Sequence, residues 1–287
     1  MDISGLDIHP QSWQSCDAAL RQYLNGLAEL FRAHLDGNFV GVYLHGSLAM
    51  GSYFPPKSDM DVIAVAAQSL DAASARALSR EIAYYSDKCP TLGNLECSLI
   101  TRETARNVPA EMPYELHFST AWYSKILNDE VEYGVQQTDG DLPAHLLTLK
   151  RRGLCLKGEP IDAVFGEVRW ADFLTAILDD FDWLVEGENI CESPFYCVLN
   201  ICRVLQALTE RNEKVLSKYE GALWGLANLP AAHAGVIRRA LAVYADKRPL
   251  TESQRRTGGV EWDTAALLAF RDYARVQTER SVSEKSV

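Results

Sequence analysis

Apolar residues recur at helical spacing across residues 11–35, where Leu20, Leu24, Leu27, Leu30, Phe31 and Leu35 share one face. Asp36-Gly37-Asn38 ends that helix. The pattern then changes. Residues 39–46, FVGVYLHG, form a short β-rich run bounded by turn residues. Residues 47–53 fit a short helix or tight turn, and the prolines of 55–58 demand a loop. Residues 59–66, DMDVIAVA, predict a second strand whose later half is apolar on both faces, as in a buried central strand. A helix is expected over 70–87, a third strand over 94–101 (NLECSLIT) and a fourth over 114–120 (YELHFST). Past residue 141 the strand signal fades. Helical periodicity covers 141–153, 170–187, 194–212, 218–228, 231–245 and 263–281, with Pro194 and Pro230 near boundaries.

These elements predict an α/β domain with a mixed sheet over 1–157, followed by an all-α helical bundle over 158–287. The break falls in the turn-rich stretch KGEPIDAVFGEV, residues 157–168. A chain of 287 residues, 47% hydrophobic and 23% charged, is ordinary globular material. Its seven cysteines, at 16, 89, 97, 155, 191, 197 and 202, contain no Cys-x-x-Cys pair, so reduced thiols fit better than a disulfide framework or zinc site. The start, MDISGLDIHPQSWQS, lacks the basic-then-apolar pattern of a signal peptide, and no apolar run is long enough for a membrane span. The expectation is a cytoplasmic monomer with no membrane partner. A net charge of −11 argues against a nucleic-acid substrate and favours a cationic one.

The chemistry concentrates in residues 45–65, HGSLAMGSYFPPKSDMDVIAV. Asp59 and Asp61 sit at positions i and i+2 of a strand start, which turns both carboxylates to one side about 6.6–6.8 Å apart along the chain. Two such groups repel unless solvated or sharing a cation. Magnesium prefers these hard oxygen ligands and leaves positions for phosphate oxygens. Gly46 and Ser47 end the preceding strand, where glycine allows close backbone approach and the hydroxyl and nearby N–H groups can cradle phosphate. Glu96 is a lone charge in an otherwise apolar strand, costly there unless it binds metal or does acid–base work. If its strand neighbours that of Asp59, the three carboxylates form an acidic triad of metal ligands, with Glu96 as general base. An Asp-x-Asp alone is common, and Glu96 on an edge strand would merely face water. The compound pattern of strand, Gly-Ser, polar loop, Asp-x-Asp and lone Glu is what points to nucleotidyl transfer.

This segment resembles the polymerase-β-like nucleotidyltransferase superfamily, and within it the aminoglycoside (streptomycin/spectinomycin) adenylyltransferase family. The likeness continues through LECSLI, ELHFSTAW, DGDLPAHLLTLKRRGLCLKGEP, VLNICRVLQAL, SKYEGALWGLANLP and RALAVYADK. It implies a nucleotidyltransferase fold with a helical C-terminal domain contributing to ATP and acceptor binding. It implies Mg2+ on Asp59 and Asp61, Glu96 as base, and Ser47 at the triphosphate. It also implies nucleotide contacts from Arg203, Lys218 and Tyr244. The residues partly agree. Arg203 lies among Val198, Leu199, Ile201, Val204 and Leu205, where a guanidinium calls for an anionic partner. Lys218 opens a helix, where a cation gains nothing from the dipole.

The implied reaction moves AMP from ATP to a hydroxyl of a small cationic aminoglycoside or aminocyclitol. Streptomycin-accepting members carry a tryptophan in the loop after the base strand and aspartates before the arginine helix. Here residues 102–113 have no tryptophan, and ENICESPFYC offers Glu188, Asn189, Glu192 and Ser193, so the resemblance implies spectinomycin. Asp179, Asp180, Asp182, Glu186, Glu188 and Glu192 could meet a cation or form a solvated face. Trp122, Trp183 and Trp224 read as core positions, His117 as structural, and His45 as structural or phosphate-facing. Alternatives are transfer to a protein side chain or another metabolite, or a non-catalytic nucleotide sensor.

Overall fold

The computed structural model describes residues 8–283 except 56, 92, 93, 110, 212 and 249. The reading of no signal peptide rests partly on residues 1–7, which lie outside the described residues. The chain divides into two compact units, Gln11–Phe173 and a second that begins at Leu174.

In the first unit, α1 (Ala18–Leu35) buries the face carrying Leu20, Tyr23, Leu24, Leu27, Phe31 and Leu35. Each large apolar side chain so covered contributes about 1.5–3 kcal/mol. Strand β1 (Phe39–His45) leads through the single turn α2 (Gly46–Ala49) to β2 (Met60–Ala66). Helix α3 (Ala72–Ser86) starts at Asp71, whose side chain accepts hydrogen bonds from the Ala73 and Ser74 amides. Then come β3 (Leu95–Thr101), α4 (Arg102–Asn107), β4 (Met112–Tyr114), β5 (Leu116–Phe118), α5 (Tyr123–Leu127), β6 (Gln137–Asp139), α6 (Leu142–Arg152) and β7 (Leu154–Gly158).

The main sheet runs β5-β3-β2-β1-β7, and β4 pairs with β6 in a separate ribbon. β1 pairs antiparallel with β2 and β7, β2 pairs parallel with β3, and β3 pairs antiparallel with β5, so the sheet is mixed. The apolar core lies between this sheet and helices α1 and α3. Two differences from the sequence pattern stand out. The run expected over 114–120 splits into β4 and β5 at Glu115, and a strand forms over 154–158, past the point where the strand signal fades. β7 is half-exposed, with Leu154 and Leu156 against the core on either side of exposed Cys155, and its register to β1 shifts between Val42 and Tyr43, so the alternation spans only three residues. It ends at Gly158, with φ +113, where a Cβ would overlap the Val40 carbonyl.

Beyond the short α7 (Ile161–Val164), α8 spans Trp170–Val185. The second unit continues through α9 (Asn189–Glu192), α10 (Pro194–Glu210), α11 (Lys218–Asn228), α12 (Ala234–Ala245) and α13 (Thr264–Ser283). α10 is its centre, buried along nearly its whole length and packed by α9, α11, α12 and α13. α11 begins with a reciprocal capping box between Ser217 and Glu220. Trp183, expected in the core, is 44% exposed. No helix among the described residues is long and apolar enough to cross a membrane.

Candidate active site

Strand alternation gives the main sheet two unlike faces. Val42 and Leu44 of β1, Met60 and Val62 of β2, Leu95, Cys97 and Leu99 of β3, and Leu116 and Phe118 of β5 all enter the core under α1 and α3. The intervening residues therefore occupy the opposite face. There His45 pairs with Asp61, Asp61 with Glu96, and Ser98 with His117. Neighbouring strands are about 4.8 Å apart, so Asp61 and Glu96 stand side by side. β3 is an interior strand, and Glu96 pairs with Asp61 on the β2 side, one residue before the ladder to β5 begins at Cys97.

Asp59 is held just ahead of β2. Its Oδ1 accepts the Asn94 amide at 3.1 Å, and the next amide, of Met60, donates to the Asn94 carbonyl at 2.8 Å. The residue leading into β3 thus grips the Asp59–Met60 step from both sides. Gly46 closes the other end of the site. It has φ +65, and a Cβ there would overlap the Asp61 carboxylate, so glycine is required both for the turn and for the acid beside it. The Ser47 hydroxyl is buried with no hydrogen-bond partner among the described residues. Burial, with smaller contributions from the Asp59 and Asp61 charges, pushes the Tyr53 hydroxyl up to about 12.

Histidines flank the acids. His45 is 4% exposed and tilts against His145 of α6 at 5.1 Å between ring centroids. Burial first, and His145 second, hold His45 well below the usual 6.5. It is therefore neutral at physiological pH and contributes no positive charge opposite Asp61. His117 exchanges a 3.0 Å hydrogen bond with Ser98 and meets Tyr114 and Trp122 edge-on. Burial lowers its pKa, opposed by the Glu96 and Asp139 charges. His145 was missed in the sequence. Its only signal there is a lone imidazole within the apolar run of α6.

The set of oxygen donors fits magnesium in kind, because that ion takes one or two carboxylates and completes its shell with water and phosphate. Among the described residues no three His, Cys, Asp or Glu side chains converge as a closed metal cage. A site of two carboxylates completed by a triphosphate is compatible with both facts, and the unpartnered Ser47 hydroxyl supplies one donor for such a ligand.

In the second unit, Arg203, Lys218 and Tyr244 gather around α10. Arg203 donates from Nε to the Leu216 carbonyl at 2.8 Å and from Nη1 to Asn200 Oδ1 at 2.8 Å. The anionic partner expected from its apolar surroundings is replaced by neutral oxygens. Lys218 Nζ lies 4.9 Å from the centre of the Tyr196 ring. Tyr244 is 2% exposed and stacks on Phe195. Of the acidic candidates, Asp179, Asp182, Glu186, Glu188 and Glu192 are exposed and Asp180 is half-buried. Glu192 pairs with Arg256 at 3.6 Å.

Residues 163–266 match the model of the aminoglycoside adenylyltransferase C-terminal domain. That part of the chain is thus similar to the C-terminal domain of aminoglycoside adenylyltransferases. Among curated relatives, the chain is 24% identical over 201 residues to the spectinomycin 9-adenylyltransferase of Enterococcus faecalis, covering 69% of this chain and 76% of that one. It is 22% identical over 228 residues to the Campylobacter jejuni enzyme of the same name, covering 78% and 84%. A crystal structure of the enterococcal spectinomycin adenyltransferase with ATP and spectinomycin superposes with a TM-score of 0.72 at 19% identity, over 90% of this chain and 98% of that chain. That likeness shows a shared fold. The family match contains Arg203, Lys218 and Tyr244, and the acid row lies outside it.

Proposed function

We propose that this chain transfers AMP from magnesium-bound ATP to a hydroxyl of spectinomycin, and so confers resistance to that compound. The observation that carries the reading is the row in which Asp61 and Glu96 lie side by side on one sheet face, with the Gly46 turn packed against Asp61. Two adjacent carboxylates beside a neutral histidine concentrate negative charge, which favours a divalent cation and a cationic acceptor. Support for the acceptor comes from the two curated relatives, both named for spectinomycin.

In this reading Asp59 and Asp61 hold the magnesium ion, and Glu96 stands beside Asp61 as the base rather than as a third ligand. When bound, the ion neutralises charge on the triphosphate and on departing pyrophosphate. Gly46 leaves room for the Asp61 carboxylate at the turn, and the Ser47 hydroxyl donates to a phosphate oxygen. Lys218 and Arg203 supply positive charge to the triphosphate, and Tyr244 lies against the nucleotide. Glu96 accepts the proton of the acceptor hydroxyl, whose oxygen attacks the α-phosphorus as pyrophosphate leaves. The proposed catalytic domain covers 1–157, and the helical domain, 158–287, contributes to both ligands. A monomer in the cytoplasm is part of the proposal, in keeping with seven free cysteines and with the supply of ATP there.

The test is mass spectrometry of spectinomycin and streptomycin after incubation with the purified chain, ATP and magnesium. A gain of one AMP on spectinomycin is expected. No adduct on either compound, and no pyrophosphate release with a wider aminocyclitol panel, would overturn the proposal.

A further inference from the structure

α10 carries a polar pair in surroundings that are otherwise apolar. Asn200 is 4% exposed, with Val198, Leu199, Ile201 and Cys202 around it at 0%. Its Oδ1 accepts from Arg203 Nη1 at 2.8 Å. A guanidinium has only donors, so the amide oxygen must face it and the amide nitrogen must turn away. That nitrogen, Nδ2, is buried and has no hydrogen-bond partner among the described residues. Arg203 is itself fixed at two further points. Nε bonds the Leu216 carbonyl, and the side-chain stem fills the space at Gly221, where a Cβ would lie 2.7 Å from Arg203 Cγ. Its Nη2 makes no hydrogen bond among the described residues.

A buried donor without an acceptor burdens the fold, and an apolar side chain of the same shape would avoid it. Position 200 nevertheless holds an amide whose oxygen aligns a guanidinium and whose nitrogen is left over. We infer that Asn200 is a positioning residue for Arg203, whose unused Nη2 group and positive charge, held in place by the Asn200 oxygen, receive an oxyanion. Under the function proposed above, on which this rests, that anion is the triphosphate of ATP.

Calorimetric titration of the full chain with ATP tests the inference, using Asn200→Leu, Asn200→Asp, Arg203→Met and the Asn200→Leu/Arg203→Met double variant. Each single change should weaken ATP binding about tenfold, the size of one hydrogen bond to a charged group. The double variant should bind no worse than Arg203→Met, because the asparagine acts through the arginine. The melting temperature of nucleotide-free Asn200→Leu should not fall. Adenosine, which lacks the anion, should compete equally well with a fluorescent nucleotide on every single variant. A lower melting temperature with unchanged ATP affinity in both Asn200 variants would make the residue purely structural and overturn the inference. Full additivity in the double variant, or an equal loss for adenosine, would also overturn it. If Arg203→Met binds ATP like the parent, the nucleotide role of Arg203 fails first. If ATP binds as expected and spectinomycin gains no AMP, only the substrate assignment fails.

Discussion

The two faces of the main sheet are made by the same strands and differ by one residue of register. On one face Met60, Val62, Leu95, Cys97 and Leu99 pack under α1 and α3. On the other, Asp61 and Glu96 stand next to each other between His45 and Ser98. Stability and chemistry are thus interleaved along each strand at a period of two. Residues adjacent in sequence should respond to substitution in opposite ways.

The sharpest way to break this contrast is within β3. Glu96→Gln should lower turnover roughly 10²–10⁴-fold, the range of general-base catalysis, while leaving ATP binding and melting temperature near the parent values. Stopped-time assays of AMP transfer, with calorimetry and a thermal melt, would check it. A loss of stability comparable to a core substitution would show that the faces are not separate. Three residues along, Leu99→Ala should do the reverse, costing about 2–5 kcal/mol in urea unfolding with little change in turnover per folded molecule. Away from both faces, Asp71→Ala removes the cap of α3. It should cost about 1 kcal/mol and leave kinetics unaltered.

The smallest expected effect is the pH dependence of stability. His45 and His117 both titrate below 6.5 in the folded chain. Between folded and unfolded values the unfolded chain binds more protons, so stability is full above the unfolded value and declines as pH falls below it. Urea midpoints measured from about pH 7.5 to about pH 5.5 should therefore decrease, and His45→Gln should flatten the decline. An unchanged slope in that variant would mean that His45 titrates alike in the folded and unfolded chain.

Much of this arrangement was legible in the chain. β1, β2 and β3 are apolar runs ended by turn residues, and the acids are the polar exceptions at their ends. What stayed hidden depends on partners distant in sequence. β7 exists as a strand because it hydrogen-bonds to β1, with a bulge that cuts its own alternation to three residues. Arg203 calls for a counter-charge in an apolar helix, and its need is met by a carbonyl 13 residues away and an amide one turn back. Trp183 sits at a helical apolar position, yet it is 44% exposed and meets the Tyr196 ring edge-on. His145 joins His45 only through the packing of α6 on β1.

Asn94 secures the first aspartate through its main chain alone, giving an N–H to the carboxylate and a carbonyl to the following amide. The side chain at that position is consequently free to drift, and almost any residue could serve there. Proline is the exception, since it has no hydrogen to give. A family could diversify this bend in composition without disturbing the anchorage of Asp59.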